Sequence, residues 1–283
     1  MNIFITGGTG FIGKYLIKRL INTSCNIYAT YRVLKNNNIN SNSINWINKG
    51  LEDLNIDDFK NIHTIIHLAA VGVSPQKASK RDIEFLNVYQ SLRMIRLAKE
   101  AGVKRFIATG TCLEYGKESD NWDYIPPNAN LKPLCPYSKS KAKCFKLLNQ
   151  FSIENNIEMF YGRIFSAYGE GQYEYNFWPS LIRAAKLGND FHMTKAEEIR
   201  DFIHVEEVAK YLVNAIFRED LKKGRPLVLN IGSGCPIKLK DFAHNEWKRL
   251  KAEGNIIFGA LKNRNYTIKR MVANIDGLII SNS

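Results

Sequence analysis

Along the first two thirds of the chain, short runs of β-branched and aromatic residues alternate with longer stretches whose apolar positions recur every three or four residues. The short runs Ile3–Thr6, Asn26–Tyr31, Thr64–Leu68, Arg105–Thr109, Glu158–Ile164 and Leu227–Ile231 predict strands. The longer stretches Gly10–Leu20, Asp82–Ala101, Tyr137–Ile153, Phe177–Leu187 and Val205–Phe217 predict helices, the last preceded by a strand-like Asp201–His204. Strands and helices in this alternation build βαβ units on a parallel sheet. The expectation is therefore an α/β protein with a doubly wound sheet and a ligand at the carboxyl ends of the strands.

The rhythm breaks in three places. Ile39–Asn48 is rich in Asn and Ser and reads as a solvated loop, and Asn121–Pro136 carries Pro126, Pro127, Pro133 and Pro136 and cannot be continuous helix. After about Phe165 the alternation weakens, which predicts a smaller, mostly helical covering portion from which Leu227–Ile231 returns to the main sheet.

Composition narrows the functional classes. With 45% hydrophobic and 24% charged residues the chain has the material for a folded core, which rules out a disordered or fibrous protein. The net charge of +13 invites an acidic partner, but the basic runs are pairs such as Lys18-Arg19 and Lys222-Lys223 scattered along the chain. No clustered nucleic-acid footprint is expected. Five cysteines without a C-x-x-C pair argue against a zinc site or a disulfide framework and for a reducing cytoplasm. No apolar run approaches the roughly 18 residues of a spanning helix, so no membrane partner is expected.

Gly7, Gly10 and Gly13 stand where the first strand meets the first helix. Glycine lets the backbone turn and approach a pyrophosphate, the helix N-terminus offers free N–H groups, and Gly13 permits close helix–strand packing. The loop predicts a Rossmann-type dinucleotide site over Gly7, Gly10, Phe11, Ile12 and Gly13. Residues 1–165, with 201–235 returning, then form the dinucleotide-binding domain, and 166–283 the smaller substrate-binding portion. The second strand ends without an acid for the 2′-hydroxyl of NAD and with Arg32, which can take the 2′-phosphate of NADP. NADP(H) is therefore favoured over NAD(H), the other reading of Arg32 being a surface arginine stacked on adenine.

Tyr137 and Lys141 lie four residues apart and share a helical face. The ammonium should favour phenolate and lower the pKa of Tyr137, so that the phenol can exchange a proton with a carbinol or carbonyl oxygen. The spacing alone is weak, since Tyr31 and Lys35 repeat it. Tyr137 differs in following Pro136 at a helix start.

With the G-x-x-G-x-x-G spacing and the Tyr–Lys pair together, the chain resembles the extended short-chain dehydrogenase/reductases, the NAD(P)-dependent sugar-nucleotide epimerase/dehydratase family. The likeness extends through Ile66-His67-Leu68-Ala69-Ala70, Asn87-Val88, Tyr115-Gly116, Arg163-Ile164-Phe165, Tyr168-Gly169 and Arg200-Asp201-Phe202-Ile203-His204-Val205. The resemblance implies Leu68, Ala69 and Ala70 beside the cofactor, and Thr111, four positions before Tyr115-Gly116, as the hydroxyl that joins Tyr137 and Lys141 in a catalytic triad. Otherwise Thr111 would cap a turn. It also implies that Arg200 and Arg264 bind a substrate diphosphate, with an ion pair to Asp201 and a surface charge as the respective alternatives. A homodimer is the family's common state.

Family 4,6-dehydratases carry Asp and Glu after the triad Thr, whereas Cys112 and Leu113 follow it here. Dehydration is thereby disfavoured. The stretch from Thr111 to Gly116 resembles the 4-reductases of nucleotide-linked 4-keto-6-deoxyhexoses, enzymes of the CDP-abequose and CDP-paratose synthase kind that serve surface polysaccharide synthesis. The alternatives are an NAD-dependent NDP-hexose 4-epimerase and a catalytically silent dinucleotide-binding regulator. Ser166 replaces the family's Asn at a substrate contact, Cys112 reads as a buried inert thiol, and Glu114 either orients a sugar hydroxyl or caps a turn. The five histidines have no metal-ligand spacing.

Overall fold

The computed structural model describes residues 1–32, 43–73, 78–262 and 268–278. Its main sheet has seven parallel strands: β1 (Asn2–Thr6), β2 (Asn26–Tyr31), β3 (Ile44–Asn48), β4 (Thr64–His67), β5 (Arg105–Thr111), β6 (Glu158–Ile164) and β10 (Leu227–Ile231). They lie in the order β10-β6-β5-β4-β1-β2-β3. The helices are α1 (Phe11–Leu20), α2 (Lys80–Glu84), α3 (Ser91–Glu100), α4 (Pro136–Glu154), α5 (Phe177–Lys186), α6 (Val205–Phe217) and α7 (Leu239–Arg249). A wider π-type turn over Phe85–Gln90 joins α2 to α3 in one helical run.

Side-chain alternation along the strands makes two cores. Ile3, Ile5, Ile66, Ile107 and Phe160 face α1 and α6, meeting Leu16, Ile17, Leu20, Val208 and Leu212. Phe4, Ile65, Phe106, Met159 and Tyr161 face α3 and α4, meeting Met94, Ile95, Ala98, Cys144 and Leu148. Strands buried on both faces read as apolar runs, which is why the first strands stand out in the sequence. The helix ends follow local chemistry. Pro136 opens α4 at a position whose N–H needs no partner, and Lys18 and Arg19 close α1 against its negative end.

Two expectations are corrected. Of the segment read as a solvated loop, Ile44–Asn48 is β3, paired in parallel with β2 from Ile27↔Ile44 to Tyr31↔Asn48. An edge strand needs only one paired side, and Ile44, Trp46 and Ile47 supply its apolar contacts. The portion after Phe165 is mixed rather than mostly helical. Here β9 (Ile199–His204) pairs with β7 (Ser166–Tyr168), β11 (Pro236–Lys238) and β13 (Arg270–Met271), and β8 (Phe191–His192) pairs with β12 (Ile256–Ile257). Helices α5 and α7 close over these strands around Leu181, Ala185, Met193, Ala243 and Trp247.

Asp201 on β9 ties this portion together. Its buried carboxylate accepts the N–H groups of Ser233 (2.7 Å), Gly234 (3.0 Å) and Ala273 (3.1 Å) and the Ser233 hydroxyl (2.7 Å). Removing the acceptor strands three backbone donors. Asp201→Ala is therefore expected to cost about 2–4 kcal/mol of stability, read as a lower urea midpoint; an unchanged midpoint would refute the role.

Candidate active site

The site is assembled at the carboxyl edge, where the connections from β1 and β4 run to opposite sides of the sheet. On one side the loop after β1 turns through Gly7, whose φ is +74°, and a Cβ there would stand 2.9 Å from the Ala69 nitrogen. The loop is closed by a Gly10 N–H donating to the Gly7 carbonyl at 3.0 Å. A Cβ on Gly13 would lie 2.2 Å from that same carbonyl oxygen, so no larger residue fits without moving the loop. Phe11, Ile12 and Gly13 open α1, and its N-cap Gly10 brings no side-chain acceptor to their N–H groups. On the other side Leu68, Ala69 and Ala70 leave β4 half-buried. A pyrophosphate fits this cradle, which offers backbone donors, the positive end of α1 and no side chain in the way.

The loops are set by a buried chain of polar groups. Ala69 N–H donates to Thr6 Oγ1 (3.3 Å), Thr6 Oγ1 meets His67 Nδ1 (2.7 Å), and His67 Nε2 meets Ser91 Oγ (2.8 Å). Asn87, on the π-type turn, clamps both the N–H (2.9 Å) and the carbonyl (3.0 Å) of Val71 and donates to Ser140 Oγ of α4 (3.0 Å). It thereby couples the loop after β4 to the helix bearing Tyr137 and Lys141. The buried polar residues Asn87, Gln90 and Ser91 within one helical run were the sequence sign of this tie.

Arg32 follows β2 and makes a loose, exposed pair with Glu52 at 3.5 Å. Such a pair contributes roughly 0–1 kcal/mol, so an anion can replace it. Thr111 ends β5. Its Oγ1 accepts from Leu113 N–H at 3.3 Å, the turn-capping contact, and its own hydroxyl proton remains able to donate. Lys141 is only 4% exposed, yet its ammonium has no hydrogen bond or ion pair among the described residues. A charge so buried needs an acceptor, and a cofactor ribose is of the right chemistry.

Tyr137 departs from expectation. Its pKa is raised, not lowered: burial disfavours the phenolate, and the charge of Glu114 and the nearby Cys112 and Cys135 add to it, while Lys141 is not among the groups that shift it. Burial likewise pushes the Cys112 thiol up to about 12, as an inert thiol requires. Glu114 is resolved too. It is fully buried, caps the turn through Thr111 N–H (2.9 Å) and pairs with Arg163 (2.8 Å), and so does not face a sugar.

Arg200 on β9 does not pair with Asp201. Its guanidinium donates to the carbonyls of Ile199 (2.8 Å) and Ile268 (2.9 Å), and no carboxylate lies within ion-pair distance among the described residues. It pairs in register with Met271 of β13, which shares a core cluster with Cys112, next to Thr111. Ser166 begins β7, half-buried, opposite Phe202. Arg264 lies outside the described residues. Among the described residues no group of histidines, cysteines and carboxylates could hold a metal, and no helix is long and apolar enough to cross a membrane.

Burial lowers the pKa of His67 from its usual 6.5 to about 3, with the Lys141 charge adding to the effect. Folded His67 stays neutral where the unfolded chain is protonated, so its contribution is complete above pH 6.5 and is lost as the pH falls towards 3. Urea unfolding should show stability decreasing by up to about 1.4 kcal/mol per pH unit in that window from this group. His67→Gln should flatten that slope by one proton; an identical slope in the variant would show that His67 does not titrate this way.

Comparison with known proteins places this site in a family. The model of the NAD dependent epimerase/dehydratase family matches residues 3–232. A CDP-abequose synthase from Salmonella typhimurium is 27% identical, over 96% of this chain and 89% of its own length. A UDP-glucose 4-epimerase from Rhizobium meliloti is 26% identical, over 97% and 89%. Among solved structures, MoeE5 in complex with UDP-glucuronic acid and NAD superposes with a TM-score of 0.87 at 26% identity, covering 98% of this chain and 91% of that one. The family model spans most of the chain, the glycine loop and the Tyr–Lys helix included, and the chain belongs to the NAD dependent epimerase/dehydratase family.

Proposed function

We propose that this protein is an NADPH-dependent reductase that transfers hydride to the C4 keto carbon of a nucleotide-linked 4-keto-6-deoxyhexose. The observation that carries the reading is the makeup of the site around Tyr137. Thr111 ends β5 and Tyr137 and Lys141 lie on α4, which packs against β5 and the turn after it, while the positions of an eliminating acid and base hold a buried thiol raised to about 12, Cys112, and an exposed Leu113. One oxygen-binding pair and no second acid–base pair suits a single hydride transfer to a carbonyl. The similarity to a CDP-abequose synthase along almost the whole chain supports the same assignment.

In this reading residues 1–165 with 201–235 hold the cofactor and the remainder of 166–283 covers the substrate. Gly7, Gly10, Phe11, Ile12 and Gly13 receive the pyrophosphate, Arg32 the 2′-phosphate, and Leu68, Ala69 and Ala70 line the path towards the nicotinamide. Bound nicotinamide supplies the hydride. The chain's own residues do the rest: Thr111 and Tyr137 hydrogen-bond the C4 carbonyl oxygen, Tyr137 gives that oxygen its proton as the alkoxide forms, and Lys141 holds the cofactor ribose. Donors aimed in advance at the developing oxyanion lower the barrier without reorganisation. Arg200 and Ser166 contact the substrate, the arginine at its diphosphate, with Arg264 as the second arginine there.

A second reading, an NAD-dependent 4-epimerase, is favoured by the similarity to a UDP-glucose 4-epimerase and by the NAD in the MoeE5 structure. The two part on net reduction. Purified protein mixed with NADPH, or separately NADH, and a panel of CDP-, dTDP-, GDP- and UDP-linked 4-keto-6-deoxyhexoses should consume NADPH with one member. Tightly held NAD and C4 interconversion of an unreduced NDP-hexose would instead support the epimerase. Tyr137→Phe is expected to lower turnover by about 10²–10⁴-fold with an unchanged NADPH dissociation constant; retained turnover would remove Tyr137 as proton donor.

A further inference from the structure

The corner of the crevice beside the glycine loop is shaped by β2, β3 and the turn that follows β3. A Cβ on Gly8 would stand 3.0 Å from the Ala29 Cβ on β2 and 3.6 Å from the Trp46 ring on β3, so loop and strands are in close contact. The Trp46 ring meets that of Tyr31 edge to face, with centroids 6.0 Å apart. One residue on, Arg32 points its guanidinium at Glu52, which comes from a single 3-10 turn over Leu51–Asp53. A dinucleotide whose pyrophosphate lies on the glycine loop extends its adenosine over this corner.

The surroundings of Glu52 hold its carboxylate there. Leu51 is buried and anchors the turn, Arg93 Nη1 donates to the carbonyls of Leu51 and Glu52, each at 3.4 Å, and the Gly50 N–H donates to Asp53 Oδ2 at 3.1 Å. Gly50 has no side chain to push the carboxylate away: a Cβ there would lie 2.6 Å from Glu52 Oε2. The same oxygen stands 3.5 Å from Arg32 Nη2. The side chains of Arg32 and Glu52 are 53% and 39% exposed, so both are open to a ligand. An exposed pair of this kind contributes little to folding. Its two charges ask opposite things of a cofactor. The guanidinium attracts a 2′-phosphate, whereas the carboxylate repels one and accepts a hydrogen bond from a 2′-hydroxyl.

We propose that Glu52 is a specificity-determining residue for the cofactor, the counter-charge to Arg32 that sets how strongly the site prefers a 2′-phosphate over a 2′-hydroxyl. This rests on the reading of Arg32 as the group that takes the 2′-phosphate. To bind NADPH, Arg32 must give up Glu52, and the carboxylate is left beside a phosphate carrying up to about two negative charges. To bind NADH, Arg32 and Glu52 stay paired, and the carboxylate is the acceptor for the 2′-hydroxyl. Glu52 thus moderates the preference that Arg32 creates and keeps NADH within reach of the site. Without the carboxylate, Arg32 would favour NADPH more strongly.

The test is equilibrium titration with NADPH and, separately, NADH, read by nicotinamide fluorescence without any sugar substrate. Four proteins are compared: the wild type, Glu52→Gln, Arg32→Met and Glu154→Gln. Glu52→Gln should raise the ratio of NADPH to NADH affinity about fivefold, the effect of removing one charge about 4 Å from another in a water-like medium. Arg32→Met should lower the same ratio about tenfold, as the loss of a charge-assisted hydrogen bond does. Glu154 is exposed at the far end of α4, so its variant removes the same charge away from the site and should keep the wild-type ratio. An unchanged ratio in Glu52→Gln, or an equal rise in Glu154→Gln, would overturn the proposal while leaving Arg32 in its role. An unchanged ratio in Arg32→Met would overturn the 2′-phosphate contact and the proposal with it. The expected ratios together with no NADPH oxidation on any ketone would support the role of Glu52 and overturn the reductase reading instead.

Discussion

A parallel sheet wound outward from its middle cannot cover its own carboxyl edge, and that constraint governs the molecule. The connection from β1 goes one way to β2 and the connection from β4 goes the other way to β5, which leaves a crevice above two adjacent strands whose registers match from Ile3↔Thr64 to Thr6↔His67. Only small residues and bare backbone fit there, hence Gly7 against Ala69 and Gly13 against the Gly7 carbonyl. The same crowding presents a row of N–H groups and a helix N-terminus to whatever enters, and an anionic dinucleotide is the ligand such a lining suits.

The other half of the site depends on polar groups buried far from that crevice. Arg163 is surrounded by the rings of Phe145, Tyr115 and Tyr161 at 4.3, 5.0 and 5.5 Å. It donates to the Pro127 carbonyl at 2.9 Å, and Tyr115 donates to Asn230 at 2.6 Å. Asn230 in turn donates to the carbonyls of Ile125 (2.7 Å) and Asn274 (3.1 Å). These contacts fasten the proline-rich segment and the last strand region to β5, β6 and β10. Every member is satisfied, which is the condition under which a buried polar network specifies one arrangement instead of destabilising it.

Much of this was legible in advance, for physical reasons that also mark where legibility ended. Strands β1, β4, β5 and β6 are buried on both faces and announce themselves as apolar runs, and α1, α4 and α6 carry their period openly. Strand β3 did not, because an edge strand rich in Asn differs from a loop only by its partner. The two- and three-residue strands of the covering portion exist through distant pairings such as Ile256↔Phe191 and Arg270↔Ile199, which no local window contains. In the site, the glycine spacing and the Tyr137–Lys141 step were readable because both are local. The proton affinity of Tyr137 was not, since it depends on burial and on Glu114, a residue delivered by another element. The same holds for Asp201, whose backbone partners lie more than thirty residues away.

The protonation of Tyr137 bears on the choice between reduction and epimerisation. Both need a hydroxyl pair at the reacting oxygen and a lysine at the cofactor, so the triad alone does not separate them. They differ in the first proton movement. An epimerase must begin by taking a proton from a C4 hydroxyl, which requires phenolate at working pH, whereas a reductase begins with the phenol loaded. In the reduction proposed above Tyr137 enters with its proton in place, and the raised pKa of the phenol serves that first step. The proposed reduction is accordingly the reading that asks for no prior loss of the Tyr137 proton.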